Sequence, residues 1–405
     1  MKNISIDFTP RQLEKTLKSL VTQFPAVVVT GPRQSGKSTL LKKLFSPEYQ
    51  YVTFDDPVKR ETALRDPRFF LESLGEKVIL DEIQYVPHLT DYLKILIDED
   101  RSKRGRFILT GSQQFSMMKT IGDSLAGRVA VTELLPFSHP ELKQALNSDP
   151  HYKTPADFFT HAILRGSYPE PALDTTIERD AWYGSYLQTY LERDIRSIYN
   201  IGHLREFQNF LKLLAGRAGQ ILNLNSLSVE AGVTVPTLKN WVSILEASRL
   251  IYLLPPYYRN LGKRITKSPK IYFLDLGLLG YLLSIEKVDF ESPMAGALYE
   301  NFVVAEAVKA QLHAGKRPSL YFYRTYAGLE IDLLVEKGQR LYPVEIKATK
   351  TPRMKMGEPM SLLSEYDKIH VQPGQLITLS EVSQPLSRTL SVQNIDDFLA
   401  WLVNL

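Results

Sequence analysis

The sequence AVVVT at 26–30 runs directly into GPRQSGKS at 31–38, and the segment KSTLLKKLF follows at 37–45. A short apolar run rich in β-branched residues predicts a buried strand of a parallel sheet. The residues after it fit the pattern GxxxxGK[ST], which requires a strand before it and a helix behind it. The combination predicts a phosphate-binding loop in an α/β domain.

This loop predicts ATP and Mg²⁺ as ligands. Glycines allow backbone amides to wrap the phosphates, and the helix N-terminus adds partial positive charge. Lys37 would place its charge on the phosphates, and the hydroxyl of Ser38 would coordinate the metal. The predicted nucleotide-binding residues are Gly31, Pro32, Arg33, Gln34, Ser35, Gly36, Lys37, Ser38 and Thr39. A chance Gly-Lys-Ser turn is the alternative, and the flanking strand and helix argue against it.

A second motif, VILDE at 78–82, ends another apolar strand with two acidic residues. Asp81 at the strand tip would reach the metal through water, which makes it, with Ser38, the predicted metal site. Glu82 would polarise the attacking water as a general base. A plain acidic strand end is the alternative, but the preceding loop in the same sheet favours the catalytic interpretation.

The order of elements in the first third predicts how these motifs meet. Strands are expected at 26–30, 51–54, 77–80, 106–110 and 128–134, and helices at 37–45, 69–74 and 89–97. One complete strand and helix lie between the first strand and the one that carries Asp81. That insertion is typical of additional-strand P-loop ATPases, and right-handed crossovers would bring both motifs to one edge of the sheet.

Two further features could complete a hydrolytic site. TGSQ at 110–113 ends a strand, where a polar side chain could orient the lytic water, although an ordinary turn fits as well. Arg128 is the preferred arginine finger, and Arg165, Arg193 and Arg196 are the other candidates. A structural or interface role is the open alternative for each arginine.

The middle of the chain has the pattern of a winged helix. A helix–turn–helix spacing spans 225–245, and strands at 249–254 and 270–274 would form a hairpin around the basic loop RNLGKR at 259–264. Residues 201–290 contain eleven Lys and Arg against six Asp and Glu. This excess predicts a polyanion partner such as DNA, with Lys267 and Lys270 near the phosphates. Tyr252, Tyr257 or Tyr258 could stack on bases, although a core or rim position is the more common role of tyrosines on a hairpin. A solvated basic face is the alternative.

Near the C-terminus, carboxylates and a lysine recur at the spacing of a nuclease core. Glu345 and Lys347 are two apart on one predicted strand, so both point to one side of the sheet. Asp332 lies on the neighbouring strand and Glu300 on the preceding helix. Such a set could hold Mg²⁺ and orient water for attack on a phosphodiester. Alternating charges on a solvent-facing strand are the competing interpretation.

Taken together, these motifs resemble the prokaryotic AAA+-like ATPases with a C-terminal module of uncharacterised function. The resemblance is carried by GPRQSGKST at 31, VILDEIQ at 78, ILTGSQQ at 108, SLAGRV at 124, YLERDIR at 190 and EIKAT at 345. It implies ATP hydrolysis, a winged helix and a nuclease-like terminal fold. We therefore expect an α/β protein with an AAA+-type P-loop ATPase domain at 1–200, a winged helix at 201–287 and a restriction-endonuclease-like PD-(D/E)xK domain at 288–405.

Composition limits the remaining possibilities. The chain has 405 residues and no cysteine, which excludes disulfides, thiolate zinc sites and cysteine nucleophiles. The N-terminus has no apolar signal region, and no apolar run approaches the roughly 20 residues that span a bilayer. We expect a cytoplasmic, homo-oligomeric ATPase that acts on DNA without contacting a membrane. A regulatory or signalling switch with an inactive nuclease-like domain is the alternative function.

Overall fold

The computed structural model describes residues 8–111, 125–190, 204–258, 267–366 and 370–405. These residues form two compact units. The first consists mainly of residues before Ser138, with the short segments Ala247–Arg249 and Leu312–Lys316. The second contains most of the remaining chain. Both units are mixed α/β structures, and the three domains predicted from the sequence remain a proposal.

The first unit is built on a parallel sheet with the strand order β2-β3-β4-β1-β5. Its strands are β1 (Ala26–Thr30), β2 (Gln50–Thr53), β3 (Val78–Asp81), β4 (Phe107–Thr110) and β5 (Val129–Glu133). The predicted parallel sheet is therefore confirmed, and each predicted strand lies within one or two residues of its observed bounds. The strands were recognisable because apolar side chains cover both faces of the sheet.

Helices pack on both faces of this sheet. They are α1 (Leu13–Gln23), α2 (Lys37–Phe45), α3 (Pro57–Arg65), α4 (Pro67–Glu72) and α5 (Leu89–Glu99). The two cores alternate along β1: Val28 packs with Leu80 on one face, and Val27 and Val29 pack with Ile79 on the other. Successive side chains of a strand point to opposite faces, so one strand supplies both cores.

Helix α3 was not predicted from the sequence. It buries only Ala63, so its apolar residues show no clear helical period. Its start is defined locally instead, because the side chain of Asp56 accepts a hydrogen bond from the amide of Val58 and Pro57 occupies the first turn. This cap and proline are the signals that identify the helix.

The second unit begins with helices and a hairpin. The helices are α6 (His139–Ala145), α7 (Pro155–Leu164), α8 (Pro169–Leu173), α9 (Arg179–Tyr190), α10 (Leu204–Ala215), α11 (Leu224–Ala231) and α12 (Val235–Ala247). Strands β6 (Ile251–Leu254) and β7 (Lys270–Phe273) pair antiparallel, and α13 (Leu276–Leu282) follows. Trp182 and Tyr186 stack with ring centroids 5.1 Å apart on α9, because residues four positions apart lie on one face of a helix.

A second sheet follows the long helix α14 (Pro293–His313). Its strand order is β13-β14-β12-β10-β9-β8, and β11 pairs with β10. The strands are β8 (Leu320–Arg324), β9 (Glu330–Lys337), β10 (Arg340–Lys347), β11 (His370–Val371), β12 (Gly374–Thr378), β13 (Gln384–Pro385) and β14 (Leu390–Gln393). Helices α15 (Glu358–Tyr366) and α16 (Ile395–Asn404) complete the unit. Within the described ranges, no helix is both long and apolar enough to cross a membrane.

His161 on α7 is expected to make the second unit sensitive to acid. Burial, together with the charge of neighbouring Arg165, lowers its pKa from 6.5 to about 4. The charged form is therefore disfavoured in the folded state. The unfolded chain takes up a proton first, so stability falls as the pH drops from about 6.5 towards 4, by about 3 kcal/mol in total.

Urea unfolding followed by tryptophan fluorescence at pH 7.5 and pH 5 measures this effect, because all three tryptophans lie in the second unit. Replacing His161 with Leu should flatten the pH dependence, whereas His151→Asn at an exposed position should leave it as in the wild type. If the free energy of unfolding of His161→Leu falls between pH 7.5 and pH 5 as much as that of the wild type, His161 is not the source of the acid sensitivity.

Candidate functional site

The loop between β1 and α2 has a backbone path that only glycine allows at two points. Gly31 has φ +139°, and a Cβ atom there would lie 2.1 Å from the carbonyl oxygen of Leu134. Gly36 has φ +93° and precedes the first residue of α2. Both conformations are in the left-handed region that disfavours other residues. The loop therefore wraps around the N-terminus of α2, the arrangement that binds phosphate.

Lys37 lies inside this loop with its ammonium group directed at backbone carbonyls. Its Nζ donates to the oxygens of Gly31 and Pro32 at 3.0 and 2.8 Å. Burial lowers the pKa of Lys37 from 10.5 to about 8, against the opposing effect of Glu82 and Asp81. A bound triphosphate would supply the negative charge that stabilises a buried ammonium group.

Ser38 and Asp81 converge although they lie on different elements. The hydroxyl of Ser38 donates to Oδ2 of Asp81 at 2.7 Å, and Asp81 is buried at the tip of β3. A hydroxyl and a carboxylate are hard oxygen ligands of the kind that Mg²⁺ prefers. The two residues thus fit the metal that the loop implies.

Tyr51 on β2 also reaches Asp81, and the sequence analysis missed it. Its hydroxyl donates a short hydrogen bond to the same Oδ2 atom that Ser38 contacts. Burial and the hydrogen bond to Asp81 raise the pKa of Tyr51 above its ordinary value of 10, so the phenol remains a donor at neutral pH. No sequence signal marks Tyr51, because the pairing of β2 with β3 that brings it near Asp81 is visible only in the structure.

Glu82 follows Asp81 in an unusual backbone conformation. Its φ is +58°, and its amide donates to Oδ1 of Asp81 at 3.1 Å. The side-chain amide of Gln84 donates to the carboxylate of Glu82. Backbone in this region is uncommon for a residue other than glycine and is often found at functional sites. The backbone therefore leaves the extended conformation of β3 immediately after Asp81.

Two buried hydroxyls near the loop have no hydrogen-bond partner among the described residues. They are Oγ of Ser35 within the loop and Oγ1 of Thr110 at the end of β4. Buried polar atoms are usually paired, so unpaired ones require an explanation such as a ligand or water. Thr110 begins the predicted TGSQ motif, of which Ser112 and Gln113 lie outside the described residues.

The candidate arginine fingers have different surroundings. Arg128 forms two hydrogen bonds with Asp98 on α5, at 2.9 and 2.6 Å. Arg165 is half-buried and donates to the backbone carbonyls of Asp174 and Ile177, which gives it a structural role within the second unit. Arg193 and Arg196 lie outside the described residues.

In the second unit, β9 and β10 bring Asp332, Glu345 and Lys347 together. The Nζ atom of Lys347 lies 3.3 Å from Asp332 and 2.7 Å from Glu345. Burial and neighbouring Asp332 raise the pKa of Glu345 to about 7, while the two carboxylates outweigh burial and raise that of Lys347 to about 12. The lysine thus pairs with both acidic side chains.

Glu300 on α14 is paired with a different lysine. Lys270 lies 3.0 Å from Glu300 and 2.7 Å from Glu330, and the hydroxyl of Tyr272 donates to Glu300 at 2.6 Å. Burial and the charge of Asp332 raise the pKa of Glu300, so the two carboxylates are close enough for their charges to interact. Across the described part of the chain, no group of three or more His, Cys, Asp or Glu is arranged to hold a metal ion.

These positions correct part of the predicted nucleic-acid surface. Lys270 is buried at 3% exposure rather than placed at a phosphate backbone, because Glu300 and Glu330 neutralise it. Tyr257 is buried and packs edge-to-face with Tyr321, as expected for the core position and not for base stacking. The basic loop at 259–264 lies outside the described residues.

Several other basic residues in this part of the chain are exposed. They are Arg205, Lys212, Lys239, Lys267 and Lys287. Arg217 is instead paired with Glu230, and Arg249 with Glu133. The charge excess of the middle segment is therefore reduced at the surface but not removed.

Comparison with known proteins agrees with this description. Residues 23–143 match the AAA domain family, residues 156–289 match a domain of unknown function (DUF8612), and residues 295–398 match another (DUF4143). The uncharacterized protein Rv2008c of Mycobacterium tuberculosis is 32% identical over 404 residues, covering 97% of this chain and 87% of the relative. The chain belongs to the family of Rv2008c.

Another relative has a lower identity. The uncharacterized protein MJ1544 of Methanocaldococcus jannaschii is 26% identical over 332 residues, covering 76% of this chain and 71% of the relative. Within this member of the Rv2008c family, the loop at 31–38 and the strand ending in Asp81 both lie in the AAA domain match. The first unit is thus an AAA-type P-loop domain.

Two solved structures show weaker similarity. The Walker-type ATPase PABY2304 of Pyrococcus abyssi is 15% identical with a TM-score of 0.44, covering 69% of this chain and 97% of that one. The RuvB Holliday junction branch migration motor of Thermotoga maritima is 18% identical with a TM-score of 0.32, covering 60% and 89%. Both scores are too low to support an argument about function.

Replacing Lys37 with Ala should abolish tight nucleotide binding, because the substitution removes the charge directed into the loop. Lys43→Ala removes an exposed lysine of the same helix and should bind as the wild type does. Isothermal titration calorimetry with Mg-ATP measures both variants. Equal affinities in Lys37→Ala and the wild type would refute the assignment of the site.

Proposed function

We propose that this protein is a Mg²⁺-dependent ATPase that acts on DNA. The observation that carries the ATPase proposal is the convergence of Lys37, Ser38 and Asp81 around a glycine-shaped loop at one edge of a parallel sheet. The AAA domain match supports it. The nucleotide site and its metal remain proposals that rest on this geometry.

Each residue contributes a separate part of the proposed mechanism. The loop amides and Lys37 bind the phosphates and offset their charge. Ser38 and Asp81 would hold Mg²⁺, which when bound neutralises charge that develops on the phosphate oxygens. Glu82 orients and polarises the attacking water, and Gln84 holds its carboxylate in place. The hydroxyl of Thr110, at the end of the neighbouring strand, has no partner among the residues that the structure describes and would position that water.

DNA is the proposed polyanion because exposed basic residues remain in the middle segment. Arg205, Lys212 and Lys239 lie on the helices between 204 and 247, and Lys267 adjoins the basic loop. Contacts of this kind with the phosphate backbone release counterions and weaken steeply with salt. Phosphate contacts carry no information about the base sequence. Helix α12 has Lys239 as its only basic residue, which fits binding of this kind better than recognition of a specific sequence.

A second candidate function follows from the pairing of Glu300. Lys270 forms an ion pair with this carboxylate and Tyr272 donates a hydrogen bond to it, while Lys347 forms ion pairs with Asp332 and Glu345. Each of these carboxylates therefore has a lysine partner, although the three carboxylates outnumber the two lysines. This favours a regulatory switch in which the nuclease-like region serves as a binding platform and does not cleave. If Mg²⁺-dependent cleavage of DNA does occur, Lys347→Ala should remove it.

We also propose that the protein works as a homo-oligomer in which Arg128 reaches the nucleotide of a neighbouring copy. Arg128 would have to leave Asp98 to do so. Mass measurement with and without ATP tests assembly, and an Arg128→Ala variant that hydrolyses ATP at the wild-type rate would remove this arginine from the proposal.

DNA should stimulate ATP hydrolysis several-fold if DNA is the partner, and the stimulation should shrink as salt rises from 50 to about 200 mM. Single-stranded, duplex and four-way DNA are compared in a steady-state ATPase assay. Joint replacement of Lys212 and Lys239 with Gln should weaken the stimulation without changing the basal rate. Turnover that is indifferent to every DNA at low salt would instead support the regulatory switch.

A further inference from the structure

Asp81 is held by donors from three directions. Its Oδ1 accepts from the amide of Glu82 at 3.1 Å, and its Oδ2 accepts from the hydroxyls of Ser38 and Tyr51. Only 3% of Asp81 is exposed. A buried carboxylate held in this way has little freedom to rotate, so the direction of its remaining lone pairs is fixed.

The Ser38 bond is compatible with metal binding. A serine hydroxyl has one hydrogen and two lone pairs, so it can donate to Asp81 while an oxygen lone pair faces a cation. Tyr51 differs, because its phenol approaches Asp81 from β2 and donates a hydrogen bond to the carboxylate. Its bond therefore orients the carboxylate rather than supplying a ligand.

Tyr51 is itself fixed by the helix that carries Ser38. The Nζ atom of Lys42 lies 4.0 Å from the centroid of the Tyr51 ring. Lys42 follows Ser38 by four residues on α2, which places both on one side of the helix. A cation over the ring face is attracted to the phenol and draws electron density from it. Helix α2 thus constrains Asp81 both directly and through Tyr51.

We propose that Tyr51 is a positioning residue of the metal site: it orients the Asp81 carboxylate and so sets the affinity for Mg²⁺ in Mg-ATP without contributing to the affinity for the nucleotide alone. This inference rests on the proposed ATPase function. It extends the site to β2, a strand to which the phosphate-loop and acidic motifs do not belong.

The decisive variant is Tyr51→Phe, which removes one hydroxyl and keeps the ring under Lys42. Tyr49→Phe is the matched control, because Tyr49 lies two residues away and its hydroxyl donates to the carbonyl of Gly105 instead. Isothermal titration calorimetry measures ATP binding in EDTA and then as a function of Mg²⁺ concentration. Mg²⁺-dependent ATPase rates provide the second readout.

Tyr51→Phe should raise the Mg²⁺ concentration at half-saturation about tenfold, the size typical for loss of a group that supports a metal ligand. ATP affinity in EDTA should stay as in the wild type, and kcat at saturating Mg²⁺ should change less than about twofold. Tyr49→Phe should show none of these changes. Lys42→Met should shift the Mg²⁺ dependence in the same direction by a smaller factor.

Two results would overturn the inference. One is an unchanged Mg²⁺ dependence in Tyr51→Phe, and the other is an equal loss of ATP affinity with and without Mg²⁺, as expected if the hydroxyl only maintained the fold. A wild-type protein that binds ATP equally well in EDTA and in Mg²⁺ would remove the proposed metal site, and the inference with it. If Mg²⁺ strengthens ATP binding to the wild type and Tyr51→Phe shows the same Mg²⁺ dependence, only the proposed role of Tyr51 is refuted.

Discussion

The hydrogen bond between Ser38 and Asp81 is the contact on which the site depends. It joins residues 43 positions apart, one at the start of α2 and the other at the tip of β3. Helix and strand can meet there because β4 lies between β1 and β3 and all three run in parallel. The sheet therefore presents the phosphate loop and the acidic strand end at a single edge, as open α/β sheets do at their ligand sites.

The lysines at the candidate sites of the two units differ in how their charges are balanced. In the first unit, the hydrogen bonds of Lys37 go to neutral carbonyls, and burial has already lowered its pKa. In the second unit, Lys270 and Lys347 are each paired with carboxylates. A buried ammonium without an anionic hydrogen-bond partner is prepared for an anionic ligand, whereas paired charges stabilise one another. This contrast is why the nucleotide site is the proposed centre of function.

Much of the first unit could be predicted because its signals are local. The strand at 26–30, the loop and α2 follow from apolar runs, glycines and a short motif. The role of Tyr51 could not be predicted, because it depends on β2 lying beside β3, and no pattern within β2 indicates a contact with Asp81. Lys270 shows the opposite error: a cluster of basic residues predicted an exposed surface, and only the packing of Glu300 and Glu330 reveals why this lysine is buried.

The most direct test of the account is a crystal structure with Mg²⁺ and a non-hydrolysable ATP analogue. The account predicts the β- and γ-phosphates within hydrogen-bond distance of the loop amides and of Lys37, with the metal about 2.1 Å from Oγ of Ser38. Asp81 should lie beside the metal and still accept the hydroxyl of Tyr51. A nucleotide bound elsewhere, or a metal that does not contact Ser38, would contradict it.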